Sequence, residues 1–160
     1  MIDFTRTKKK RRKSNFPPML QQRYACAAAL VGNRVIVVMG GHSGRTAQAW
    51  GEMFDLTTRK CTTIRKKMSC ARDNCAAVAM GTKVYIFGGW NLQTAEMLDL
   101  ETERQYTLPS MSVAREGCAA VAVGSVILVV GGNSDTVEAF DTVTQTWSIL
   151  PHKTTMRRFC

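Results

Sequence analysis

The sequence predicts an all-β chain made of repeated four-stranded antiparallel sheets, and three observations carry that prediction. The stretch REGCAAVAVGSVILVVGG, Arg115 to Gly132, has two earlier copies: RDNCAAVAMGTKVYIFGG from Arg72 to Gly89 and RYACAAALVGNRVIVVMGG from Arg23 to Gly41. A Glu-x-Phe/Leu-Asp anchor follows each copy, at Glu52 to Asp55, Glu96 to Asp99 and Glu138 to Asp141. The Arg-x-x-Cys opening returns once more at Arg157 to Cys160, so the leading arginines step by 49, 43 and 42 residues. Such a period has to be settled first, because a repeat read as an ordinary domain gives the wrong fold. The units run over about 18–67, 68–110 and 111–152, with a partial one at 153–160.

In chain order, residues 1–16 come first and read as a disordered basic arm. Residues 1–15 hold seven Lys and Arg against Asp3, which places most of the net charge of +10 outside the repeats. Lys8 to Lys13, KKKRRK, has the composition of a nuclear localisation signal or a phosphate-binding tail, with a merely solvated arm as the alternative. Pro17-Pro18 punctuates the boundary, and the repeat segment occupies 17–160.

Each unit opens on Ala, Cys and Val without clean alternation, as in Cys118 to Val123, which predicts a strand buried on both faces. Gly32-Asn33, Gly81-Thr82 or Gly124-Ser125 then supplies a two-residue hairpin, where glycine takes positive φ. The β-branched and aromatic runs Val35 to Val38, Val84 to Phe87 and Val126 to Val130 are the central strands. A Gly-Gly pair at 40–41, 88–89 and 131–132 ends each of them, and a loop of variable length follows. The third strand carries the Glu/Asp anchor, its aspartate placed to bond the backbone of the next turn. The fourth is the most polar: Lys60 to Ile64, Gln105 to Leu108, Thr146 to Leu150.

Four strands per unit, read as running from most to least buried, describe a blade. A sheet of about 45 residues cannot bury both faces alone, so the units must stack around an axis as a β-propeller. Three blades and the first strand of a fourth leave the ring incomplete, which suggests a fragment or a truncated product. A content of 45% hydrophobic and 21% charged residues is globular. No apolar run reaches the roughly 18 residues of a membrane span, and no secretory h-region opens the chain. A cytoplasmic location, with a nuclear one open through the basic run, is the expectation. The six cysteines are then expected to be reduced thiols that pack as small hydrophobes.

The diglycine, the aromatic-Asp pair and a tryptophan six residues beyond it resemble the kelch repeat. The third unit matches best, with Gly131-Gly132, Phe140-Asp141 and Trp147. The first two depart from it: Cys61 and Gln105 hold the tryptophan position, and Leu98 replaces the aromatic. The resemblance covers 18–160 and implies a kelch-type β-propeller segment. It also implies a non-enzymatic protein–protein interaction module that presents its blade-connecting loops to a partner, such as a scaffold or substrate-recruiting part of a ubiquitin-ligase-type or cytoskeletal assembly. The alternatives are part of a kelch-propeller enzyme of the sugar-oxidase or sialic-acid-epimerase type, and a nucleic-acid binder acting through the basic arm.

Catalysis finds little in the residues. His42 and His152 fall in unrelated phases, no Cys-x-x-Cys or His-x-His clamp is present, and no cofactor or metal site is expected. The resemblance places Arg23, Arg72, Arg115 and Arg157 at the loop-to-strand junctions that face ligands in several kelch domains. There they would suit an acidic peptide, each guanidinium holding a carboxylate through two hydrogen bonds. Capping of backbone carbonyls between blades stays open as the other reading. The loops after the diglycine add His42, Arg45, Trp90, Asn91, Asn133 and Asp135 as partner-binding candidates, with Trp90 the strongest anchor.

Overall fold

A computed structural model describes residues 17–151. The basic arm, Arg157 and the partial fourth unit lie outside the described residues. Within them, twelve strands make three sheets. The first blade holds β1 (Ala27–Val31), β2 (Val35–Met39), β3 (Gly51–Asp55) and β4 (Lys60–Thr63). The second holds β5 (Ala76–Met80), β6 (Lys83–Phe87), β7 (Ala95–Asp99) and β8 (Arg104–Leu108). The third holds β9 (Cys118–Val123), β10 (Val126–Gly131), β11 (Val137–Asp141) and β12 (Thr146–Ile149). Each sheet is an antiparallel meander in chain order. Its register repeats as well: Phe54 faces Cys61, Leu98 faces Gln105, and Phe140 faces Trp147.

The turns follow from local chemistry, with one departure. Gly81 and Gly124 both adopt φ of 60° in two-residue hairpins, the conformation that glycine reaches without penalty. The first blade was expected to match, but its loop has three residues, Gly32 to Arg34. The third of them is used: Arg34 reaches Asp55 at 2.7 Å across the sheet end. At the β3–β4, β7–β8 and β11–β12 turns, Arg59, Glu103 and Gln145 all take φ near 55° (55°, 54°, 56°). The preceding aspartate accepts two backbone N–H bonds in each turn, for example from Thr57 and Thr58 to Asp55 Oδ1 at 2.8 and 3.0 Å.

The blades pack face to face with β1, β5 and β9 innermost and side by side. Between blades 1 and 2 lie Ala27, Val37 and Met39 against Cys75, Val84 and Ile86. Between blades 2 and 3, Phe87 meets Phe140 and Trp147 edge-on, with ring centroids 6.5 and 5.7 Å apart. Burial does not fall steadily from the first strand outward, as the composition suggested. The second strands are the most buried, while Leu30, Val121 and Val123 of the first strands are exposed. Small side chains line the inner strands because neighbours converge there, and the exposed residues of β1 and β9 alternate with the packed Ala27, Ala29, Ala120 and Ala122, so they face away from blade 2. Among the described residues the three sheets form an arc that does not close. Its end faces carry exposed Leu30 in blade 1 and Val121 and Val123 in blade 3.

Candidate functional site

The repeated arginines are buried rather than presented. Arg23, Arg72 and Arg115 have relative exposures of 8%, 1% and 0%, against 0%, 1% and 0% for Glu52, Glu96 and Glu138. In blade 2, Arg72 donates to Glu96 Oε1 at 2.7 Å, to the carbonyls of Gly88 and Thr94 at 2.7 and 3.0 Å, and to Thr94 Oγ1 at 2.9 Å. Arg115 repeats the set with Glu138, the Gly131 carbonyl and Thr136 Oγ1. The other carboxylate oxygen takes the backbone N–H three residues before the arginine, from Leu20, Ser69 and Ser112 at 2.7, 2.9 and 2.8 Å. Each pair thus ties the lead-in segment of a blade to its second and third strands.

The backbone of the same arginine joins the blade before it. Gly41 N–H donates to the Arg72 carbonyl at 2.7 Å and Gly89 N–H to the Arg115 carbonyl at 3.0 Å. The first glycine of each pair allows this approach. A Cβ on Gly40 or Gly88 would overlap the Arg72 or Arg115 carbonyl oxygen, and both glycines already sit at φ of 63° and 65°. Arginine and diglycine therefore recur together because they are two halves of one joint. The acidic-peptide role for Arg23, Arg72 and Arg115 is corrected accordingly, since buried guanidinium groups engaged by their own blades have nothing to offer a ligand. The carbonyl-capping reading holds in part: the guanidinium groups cap carbonyls, but those of their own blade (Gly40, Trp50, Gly88, Thr94 and Gly131) rather than of a neighbour, and a glutamate joins each set. Arg157 lies outside the described residues.

Blade 1 departs from the pattern. Trp50 stands where Thr94 and Thr136 stand in the other blades, and it packs its ring 4.3 Å from the Arg23 guanidinium carbon. A cation–π contact thereby replaces a hydroxyl hydrogen bond. It also leaves Arg23 Nε as a buried side-chain nitrogen with no partner among the described residues.

What remains accessible lies on the rim formed by the lead-in loops and the loops after the diglycines. Backbone bonds hold these loops at one end of the molecule. Tyr24 and His42 exchange N–H···O bonds of 3.1 and 2.8 Å, Trp90 N–H donates to the Asp73 carbonyl at 3.1 Å, and Asn74 N–H reaches the Ala25 carbonyl in the preceding blade at 2.8 Å. Trp90 is 66% and Tyr24 59% exposed. The Tyr24 hydroxyl hydrogen-bonds His42 Nδ1 at 3.0 Å. A cleft of about 460 Å³ opens there, walled by Tyr24, His42 and Ser43.

Arg45, Asn91 and Asn133 are exposed on the same rim, whereas Asp135 is half-buried. Asp73 and Glu116, which sequence reasoning did not single out, occupy the position just after the arginine in blades 2 and 3 and are half-buried on this rim. The surface is therefore aromatic at blades 1 and 2 through Tyr24 and Trp90, cationic at blade 1 through Arg45, and carboxylate-bearing at blades 2 and 3.

The two carboxylates of each anchor serve different neighbours. For Glu52, burial acts to raise the pKa, but the N–H groups of Leu20 and Gln21, the Cys61 thiol and Arg23 outweigh it, and the net shift is downward. Asp55 is held well below the usual carboxylate range by Arg34 and by the turn amides. At the inner strand, burial pushes the Cys75 thiol up to about 12, so it packs as a neutral side chain. Among the described residues, no three His, Cys, Asp or Glu side chains cluster as metal ligands, and no helix is long and apolar enough to cross a membrane.

Comparison with known proteins agrees with this geometry. A family model described as the KLHDC2/KLHL20/DRC7 Kelch-repeats domain matches residues 2–158. No curated protein matches the sequence. Among solved structures, one described as "Structure of YjhT" superposes with a TM-score of 0.76 at 13% identity, covering 88% of this chain and 54% of the other. The chain thus spans about half the length of that protein, and at this identity the likeness concerns the fold.

Proposed function

Because the chain belongs to the kelch-repeat family, we propose that it acts without catalysis, as a protein–protein interaction module whose docking surface is the rim of blade-connecting loops. Kelch propellers generally bind other proteins through such loops. The observation that carries the reading here is the contrast along one end of the molecule. The repeated charges are locked inside the blades, while the rim loops leave Trp90, Tyr24 and His42 at the surface, with a cleft beside Tyr24 and His42. Large aromatic side chains flanked by amides are frequent anchors at interfaces.

The half-buried Asp73 and Glu116 favour a partner that brings a basic side chain toward blades 2 and 3 and an apolar or aromatic one toward Tyr24 and Trp90. An acidic peptide as the loop-face ligand loses its support with the burial of the arginines. A scaffold or substrate-recruiting role in a ubiquitin-ligase or cytoskeletal assembly is the finer form of this proposal, with a cytoplasmic or nuclear setting.

The test compares proteins captured by the wild-type chain, by Tyr24→Ala/Trp90→Ala, and by Val143→Ala. Val143 is 78% exposed at the β11–β12 turn, away from the rim. The proposal expects the rim variant to lose partners that the turn variant keeps, with unchanged melting temperatures. Equal recovery by all three would remove the rim from the account.

A further inference from the structure

The charge of the repeats is divided unevenly. Blade 1 carries eight Lys and Arg against two carboxylates, blade 2 three against five, and blade 3 one against four. Two of the blade 1 cations are engaged by their own sheet, Arg23 by Glu52 and Arg34 by Asp55. Five others, Arg59, Lys60, Arg65, Lys66 and Lys67, lie within nine residues that span the end of the β3–β4 turn, β4 and the segment after it. All five are exposed, and none forms an ion pair among the described residues.

Cations on an outer strand also discourage sheet-to-sheet pairing. That purpose does not account for these five, because only Lys60 lies on β4 itself, matching the single Arg104 of β8, and the other four flank the strand, where blades 2 and 3 have no counterpart cations among the described residues.

A groove of about 310 Å³ runs beside the strip, between β4 and the β7–β8 turn of the next blade. Met53, Ile64, Leu98 and Leu100 contribute its apolar lining, and Arg65 and Lys66 its cationic wall. The chain produces the groove by crossing from blade 1 to blade 2. Ile64 and Met68 turn inward to plug the core, and the three cations between them stay outside. Asp99 and Glu103 lie on the opposite side. Asp99 is occupied with the amides of Glu101 and Thr102 at 2.9 and 3.4 Å.

The geometry points to a second partner surface on the outer flank, a groove that takes an acidic protein segment by seating one apolar side chain between carboxylates that meet Arg65 and Lys66. Charge complementarity selects the acidic partner, and the apolar lining selects a peptide over a nucleic acid. A phosphate backbone has no side chain for the groove and would find no exposed aromatic interleaved with residues 59–67 on which a base could stack. This surface lies apart from the loop rim and stands whether or not the rim binds.

The experiment uses fluorescein-labelled nine-residue peptides and fluorescence anisotropy at low salt. One probe has two leucines among glutamates and aspartates, a second replaces the leucines by serine, and a third is an oligonucleotide of equal charge. The inference expects the leucine peptide to bind about ten-fold more tightly than the serine peptide, as burial of a leucine side chain allows. Arg65→Glu/Lys66→Glu should weaken binding about ten-fold, with Arg59→Glu as the variant outside the groove and of smaller effect. These residues are exposed, so the variants are expected to keep the wild-type melting temperature. Equal affinity for the two peptides, tighter binding of the oligonucleotide, or indifference to the double reversal would each overturn the assignment.

Discussion

Glu96→Ala is the substitution that tests the buried joints most directly. Glu96 accepts from Arg72 Nε at 2.7 Å, from Ser69 N–H at 2.9 Å and from the Gln105 amide at 2.6 Å. Its removal leaves the Arg72 guanidinium charged at 0% side-chain exposure. Breaking a buried pair from one side costs about 3–5 kcal/mol, and the stranded Ser69 N–H adds about 1 kcal/mol. That total approaches the whole stability of an ordinary domain, about 5–15 kcal/mol. Where Glu96→Ala fails to fold, Glu96→Gln keeps one carbonyl oxygen for Arg72 or Ser69, and its expected cost is about 2–3 kcal/mol. Urea unfolding followed by tryptophan fluorescence and circular dichroism gives the difference, with Arg34→Ala as reference. The Arg34–Asp55 pair has side-chain exposures of 60% and 22%, and an exposed pair is worth about 0–1 kcal/mol. A Glu96→Gln cost no larger than that of Arg34→Ala would refute the joint as a source of stability.

Three further outcomes follow from the same geometry. Gly88→Ala places a Cβ against the Arg115 carbonyl at φ of 65° and should lose about 3 kcal/mol. Gly32→Ala, at φ of 55° with open space around it, should lose about 1 kcal/mol, and equal effects in chemical unfolding would contradict the close approach. Ala25 holds φ of 53° where the other blades have Asn74 and Gly117, so Ala25→Gly should raise stability by about 0.5 kcal/mol in the same assay; a loss would count against the strained assignment. Asp55 and Glu52 have folded pKa values below their ordinary ones, so their contribution is present at neutral pH and is lost as pH falls below about 4. Melting temperatures recorded from pH 7 to 2.5 should drop below that point, less steeply for Asp55→Asn than for wild type.

Much of the architecture was legible because each copy repeats it. The strand beginning at Cys118, the glycine turns at 81 and 124 and the Phe140–Trp147 pairing all follow from periodicity and β-propensity. Burial order was not legible: Ala-rich β1, β5 and β9 read as a core, yet composition does not say which blades have a face that no other described blade covers. The buried ion pairs were missed for another reason. Arginine and glutamate were each read as features of a loop or a turn, while the pairing spans 29, 24 and 23 residues. The available signal was that both charges recur beside apolar strands in every copy, and nothing but each other could neutralise them there. Trp50 shows the same limit of linear reading, since its place over Arg23 depends on a register that only folding creates.

The arginine carbonyls lend the blades a shared fate. Because Gly41 leans on Arg72 of the next sheet, and Gly89 on Arg115, neither the first nor the second sheet completes its own loop without its neighbour. Melting should therefore propagate along the series as in a one-dimensional lattice with strong nearest-neighbour coupling. Damage to a single joint would then be felt two blades away as a change in cooperativity, before any change in local contacts.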